Sequence, residues 1–117
     1  MTHGQREDRD AALLADIADA AACIQDYVRG QTMVDFIGSR MMRDAVVHQL
    51  IVIGEASKSL TESTKAKYPR IEWKLIARMR DKLAHHYRDI EVEKVWKYAA
   101  ENIPELIEML RLSASDG

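Results

Sequence analysis

Apolar positions recur along this chain at helical rather than alternating spacing, in four stretches separated by glycine and proline. Leu13, Leu14, Ile17, Ala21, Ile24 and Val28 define one face of a helix from about residue 8 to 29, and Gly30 ends it. A second helix begins after Gly38-Ser39 and runs to about residue 64, with Met42, Ala45, Val46, Gln49, Val52, Ile53, Ala56 and Leu60 along one side. Tyr68-Pro69-Arg70 interrupts the pattern. The third helix starts near Ile71-Glu72-Trp73 and continues to Tyr87. A fourth spans about 90–111 through Val92, Val95, Trp96, Ala99, Ile103, Leu106 and Leu110. Pro104 lies inside that helix, where its ring and missing N–H predict a kink or a split. Residues 113–117 are expected to form a flexible tail. With no internal repeat or linker, the expectation is all-α: a single domain over residues 1–117, built as an antiparallel four-helix bundle with short connections.

Composition supports this picture and narrows the partners. The chain has 117 residues, 47% of them apolar, only 6% aromatic and 31% charged, with two prolines, which favours helices over a sheet. No apolar run is long enough to span a bilayer, and the start, Met1 to Asp10, lacks the apolar core of a signal peptide, so the expected location is the cytoplasm. The single cysteine, Cys23, follows Ala20-Ala21-Ala22 and is expected to be a small buried hydrophobe. Net charge is -2, but it is unevenly distributed. Residues 58–88 hold nine basic side chains against three acidic ones, a net +6, while 1–38 and 89–117 each hold three basic against seven acidic, a net -4. A confined basic field on a mildly acidic protein suits a local polyanion site better than sliding along duplex DNA.

The chemistry-bearing segment is Arg80-Asp81-Lys82-Leu83-Ala84-His85-His86-Tyr87. It combines a fixed cation, a titratable base and a phenol, a set able to act on a phosphodiester without a metal. On a helical wheel Trp73, Ile76, Ala77, Leu83, Ala84 and Tyr87 share one arc, and Arg80 lies at its centre. A charge in an apolar stripe is retained only with partners or a ligand. It snorkels its head past the core, pairs with a carboxylate of another helix, such as Glu55, or serves a site. Lys74, Arg78, Lys82, His85 and His86 occupy the opposite arc, the lysines and Arg78 being candidates for contacts with a polyanion. Arg80 and His85 are about 140° apart on an ideal helix, so they meet only through a distorted helix end or a second subunit. Asp81 precedes His85 by one turn and is placed to orient it, and His86 follows directly as an alternative imidazole. Adjacent histidines diverge by about 100° and make a poor metal pair; no metal or other cofactor is expected.

Spacing alone is weak support. Among ten arginines and four histidines, an arginine followed five residues later by histidine arises by chance in about one such chain in three. The pattern does recur at Arg43-Asp44-Ala45-Val46-Val47-His48, which reads as a solvent-facing helical segment. Requiring a tyrosine two residues further on lowers the expectation to about one in a hundred. Tyr87 meets that requirement, whereas position 50 is leucine.

The stretches Ile53-Gly54-Glu55-Ala56-Ser57-Lys58, Tyr68-Pro69 with Trp73, Met79 to Tyr87, Val95-Trp96 and Ile103-Pro104-Glu105-Leu106 resemble the HepT toxins of the HEPN superfamily. That family's pattern of arginine, four residues, histidine, one residue and tyrosine maps onto Arg80, His85 and Tyr87. The resemblance implies a HEPN bundle that dimerises around a composite cleft, acting as a metal-independent endoribonuclease toxin. It also implies a partner, an MntA-like minimal nucleotidyltransferase antitoxin that attaches AMP to the motif tyrosine, Tyr87. The alternative is a non-catalytic bundle that binds a nucleotide or a nucleotidyltransferase subunit. A helix-turn-helix DNA binder fits poorly, because a proline turn precedes the third helix in place of a compact glycine-bearing one.

Overall fold

The computed structural model describes residues 2–116, with side chains placed through Leu112. Helix α1 (His3–Val28) is opened by a capping box, in which the Thr2 hydroxyl oxygen accepts the Gln5 amide and the Gln5 side chain accepts the Thr2 amide. Its apolar stripe, Ile17, Ala20, Ala21 and Ile24, is buried to 2% exposure or less. Cys23, off that stripe, is only half-buried. Gly30 stops the helix in the left-handed region at φ +73°, a conformation that glycine adopts without steric cost.

A short helix that periodicity did not reveal comes next: α2 (Met33–Gly38), capped by Thr32 and Asp35. It buries Phe36, whose ring centroid lies 5.4 Å from that of Trp96. Ser39 closes α2 and its hydroxyl caps α3 (Arg40–Ser59). Six residues are too few to show a helical repeat, so only the capping residues could have marked α2.

The expected second helix does not continue to residue 64. Leu60 is extended, and Thr61 caps a separate short helix, α4 (Glu62–Ala66). Asp10 of α1 fixes this break: Oδ1 accepts the Thr61 amide at 3.2 Å and Oδ2 accepts the hydroxyls of Thr61 and Thr64. Asp10 is only 4% exposed. Burial alone would raise its pKa, but the hydrogen bonds from Thr61 and Thr64, with Arg9 nearby, prevail and hold the carboxylate below its ordinary range. This contact, with Tyr27 accepting from Gln49 at 3.3 Å, sets α1 antiparallel to α3.

Beyond the Tyr68-Pro69 turn, the Tyr68 ring meets Trp73 edge-on, and the Trp73 indole N–H donates to the Lys65 carbonyl. These contacts start α5 (Trp73–His85) beside α4, from which it returns along α3. The last expected helix comprises α6 (Val92–Lys97), a π turn at Tyr98–Asn102 and α7 (Ile103–Asp116). The Ile103 amide bonds to the Tyr98 carbonyl, five residues back. This wide turn immediately precedes Pro104 and is the form the expected interruption takes. The tail expected at 113–117 falls where side chains lie outside the described residues.

The four expected long helices thus stand as an all-α bundle, with no strand among the described residues. Helix α1 packs on α3 and α7, α3 packs on α5, and α2 bridges α3 and α6. The core joins Ile17, Ile24, Val46, Leu50, Ile53 and Leu106. No helix of the described residues is long and apolar enough to cross a membrane.

Replacing Asp10 by alanine is expected to lower stability by about 2 kcal/mol, because it leaves the Thr61 and Thr64 groups without their acceptor. Since the folded pKa is depressed, the part of this stabilisation that depends on the charged carboxylate should be complete above the unfolded value of about 3.9 and be lost as pH falls through the lower folded value. Urea titrations of wild type and Asp10→Ala protein at neutral and acid pH measure both effects. Equal midpoints for the two proteins at neutral pH would refute them.

Candidate functional site

The site begins at a missing side chain. At Gly54 of α3 an added Cβ would lie 2.1 Å from Arg80 Cβ and 2.5 Å from Cγ, far inside any tolerable contact. Glycine in a helix interior costs about 1 kcal/mol relative to alanine, so its presence here reflects the close crossing of α3 and α5. The crossing carries the Arg80 side chain across α3 toward the polar flank of that helix.

There the guanidinium meets two carboxylates. Nη2 donates to Glu55 Oε1 at 2.9 Å and Nη1 to Asp81 Oδ1 at 3.2 Å. Lys58 Nζ donates to the same Asp81 oxygen at 3.0 Å. The hydrogen bond to Glu55, then that to Asp81, pushes Arg80 above the usual arginine pKa. Lys58 first, and then Arg80, holds the Asp81 carboxyl below its normal range. Two cations and two anions make the cluster formally neutral, and Arg80 is only 21% exposed. Its Nε–H is buried with no hydrogen-bond partner among the described residues.

The remaining motif residues lie around the end of α5. His85 is its last residue and is exposed. His86 leaves helical geometry at φ -135°, ψ 32°, and Tyr87–Asp89 form a 3₁₀ turn, so the expected continuation of the helix to Tyr87 is replaced by a sharp stop. Asp81 makes its hydrogen bonds to Lys58 and Arg80, and none to His85. Tyr87, 39% exposed, lines a recess with Arg43 and Arg88, while His86 lines a different one with Lys82, Lys94 and Tyr98. Lys74 and Arg78 border a third, where Glu62 and Glu72 interrupt the positive surface. One chain therefore joins Arg80, Asp81, Glu55 and Lys58 directly, and disperses His85, His86, Tyr87 and the expected backbone-binding cations around them. Among the described residues no group of three or more His, Cys, Asp or Glu is placed to hold a metal ion.

Residues 17–112 match the family described as Ribonuclease HepT-like. The chain belongs to that family. It is 41% identical over 93 residues to the "Probable ribonuclease HepT" of Thermococcus cleftensis, covering 80% of this chain and 84% of that protein. A provisionally named RNase of Methanocaldococcus jannaschii is 40% identical over 93 residues, covering 80% of this chain and 77% of the relative. Another, from Caldanaerobacter subterraneus subsp. tengcongensis, is 37% identical over 81 residues, covering 69% and 72%. No solved structure matches the chain significantly.

Three features of this HepT-like site escape a reading of residue spacing. A glycine inside a strongly periodic helix was the available sign of the Gly54 crossing. Lys58 is one of many surface lysines until Asp81 is placed beside it. Arg43, which spacing assigns to a solvent-facing segment, is half-buried, and its Nη1 donates to the carbonyls of Phe36 and Ile37 at the end of α2. By contrast Asp44 and His48, the rest of that segment, are exposed.

Gly54→Ala should destabilise the HepT-like bundle by about 3 kcal/mol through forced separation of α3 and α5. Arg80→Gly in the same protein removes the clashing Cβ and should recover part of the loss. Chemical denaturation of both variants checks this, and a Gly54→Ala midpoint equal to wild type would contradict the close crossing.

Proposed function

We propose that this HepT-like protein is a metal-independent endoribonuclease that cleaves RNA by attack of a ribose 2′-hydroxyl on the adjacent phosphate. The observation that carries this reading, beside the family match, is Arg80: a mostly buried guanidinium held in place by Glu55 and Asp81, on a helix that stops at the motif histidine. Its carboxylate pairs orient it and leave Nη N–H groups for a phosphate. His85 takes the 2′-hydroxyl proton as O2′ bonds to phosphorus, and Arg80 stabilises the extra negative charge. The P–O5′ bond then breaks, with the departing oxygen protonated by an imidazole. Products are a 2′,3′-cyclic phosphate and a 5′-hydroxyl end. DNA lacks the attacking group and resists.

The functional unit in this proposal is a homodimer in the cytoplasm. Two features support the second subunit: Arg80 and His85 project from different sides of α5, and the helix and its end leave Leu75 at 49% and Tyr87 at 39% exposure. As a toxin, the protein would be neutralised by an MntA-like nucleotidyltransferase that attaches AMP to the exposed Tyr87 hydroxyl, bringing bulk and negative charge to the basic end of α5. Lys74, Arg78 and Lys82 are available to follow the RNA backbone. A second reading has its own observation: the Glu55–Arg80 pair would also suit a non-catalytic bundle that binds a nucleotide or a nucleotidyltransferase subunit.

Arg80→Ala and His85→Ala are each expected to reduce cleavage of RNA at least about 10²-fold while circular dichroism remains helical. Chelator should leave the wild-type rate unchanged. Undiminished cleavage by purified Arg80→Ala protein would overturn the catalytic assignment, and persistent inactivity of protein with unmodified Tyr87 would favour the binding module. Intact mass and peptide mapping of protein made with and without the nucleotidyltransferase should show AMP increments on the Tyr87 peptide. Unmodified peptide in both preparations would remove the proposed control.

A further inference from the structure

Beside the tight turn after α5 lies a recess of about 220 Å³ lined by Arg43, Tyr87, Arg88, Ile90, Val92 and Val95. Its chemistry is divided. Val95 is 2% exposed, and Ile90 and Val92 are half-buried, so these three provide an apolar floor. Tyr87 adds an aromatic ring, and Arg43 and Arg88 bring two guanidinium groups from separate parts of the chain.

Arg43 is held in place by the fold. Its Nη1 donates to the carbonyl of Ile37 and to that of Phe36, which also accepts the Ser39 amide where α2 ends, while Nε and Nη2 make no hydrogen bond among the described residues. A planar cation anchored on one edge, with its face and other donors unused, can stack on a flat ring or bind a phosphate. An apolar floor would add nothing to the binding of a phosphate alone. The volume is below the roughly 300–1,000 Å³ of drug-sized ligand sites, which limits the occupant to a single ring system.

We propose that this recess is a subsite for one unstacked nucleobase of the RNA, held over Ile90, Val92 and Val95 between Tyr87 and the two arginines. The proposal rests on the ribonuclease reading above and adds a substrate class to it. Because a base enters only after leaving its stack, the substrate is single-stranded RNA or a loop rather than a duplex. Arg43 and Arg88 then neutralise the phosphates flanking that base. The second occurrence of arginine and histidine spacing thereby contributes its arginine, while its histidine, exposed at position 48, has no part.

The test is a binding measurement that does not depend on catalysis. A fluorescent 2′-O-methyl hexanucleotide cannot be cut at the 2′-position, so anisotropy reports affinity for the full chain. The same oligomer with one abasic position, moved through the sequence, reports how much a base contributes, and its duplex form reports the need for an open strand. Wild type is expected to prefer the intact single strand about tenfold over one abasic version and over the duplex. Val92→Phe, which fills the floor, should abolish that preference. Arg88→Ala and Arg43→Ala should each weaken binding to the intact strand about fivefold. Since Arg43 also holds α2, Arg88→Ala, at an exposed position with no side-chain hydrogen bond among the described residues, serves as the variant free of folding effects.

Equal affinity for intact and abasic strands in wild type, or an unchanged preference in Val92→Phe, would overturn the subsite. Cleavage of RNA by a protein that binds intact and abasic strands equally would remove the subsite and leave the ribonuclease reading standing. Tighter binding of the intact strand than of the abasic one without any cleavage would do the reverse.

Discussion

Everything about the candidate site depends on how closely two helices approach at Gly54. A side chain there would hold α5 away from α3, and the Arg80 guanidinium would no longer reach Glu55. The glycine weakens its own helix, and the crossing offsets that cost with packing and two ion pairs, Arg80 with Glu55 and Lys58 with Asp81. The resulting cluster is formally neutral, so it fixes geometry without drawing on the basic character of α5. That character stays with Lys74, Arg78 and Lys82, on the outer surface.

A mostly buried arginine paired to a carboxylate is on its own an ambiguous object, since pairs of this kind occur in inert proteins. Two features distinguish Arg80. Its carboxylates come from different helices, so the guanidinium is oriented from two directions, and its Nε–H remains unsatisfied among the described residues although buried. Natural cores rarely retain such a group without a reason. The helix carrying it also stops at the motif histidine, which brings the chain's direction change and its titratable groups to one end of the bundle.

Much of this was legible in the sequence because local chemistry specifies it. Ile17, Ala21 and Ile24 on one helix, and Val46 and Ile53 on the next, follow helical periodicity and form the core. Glu55 could be suggested as a partner for Arg80 because a charge in an apolar stripe demands one. The illegible parts are nonlocal or short. The break at Leu60 depends on Asp10, 51 residues before Thr61, and no local pattern announces it. Helix α2 is too brief for periodicity. The end of α5 has neither glycine nor proline; the backbone turns at His86 in a segment that hydrophobic pattern alone would continue to Tyr87. That turn separates Tyr87 from the face it would share with Arg80 on an ideal wheel.

The π turn at Tyr98–Asn102 divides the last long helix into two independently oriented halves. One additional residue in a helical turn rotates the downstream half by about 100° relative to the upstream half. The helix therefore has two azimuths: α6 presents Trp96 toward Phe36 of α2, and α7 presents Ile103 and Leu106 toward the rest of the core. An unbroken α-helix would have to serve both neighbours with one stripe. The wide turn uncouples them, so the segment bearing Val92 and Val95 lines the recess beside Tyr87 while α7 remains keyed to the bundle.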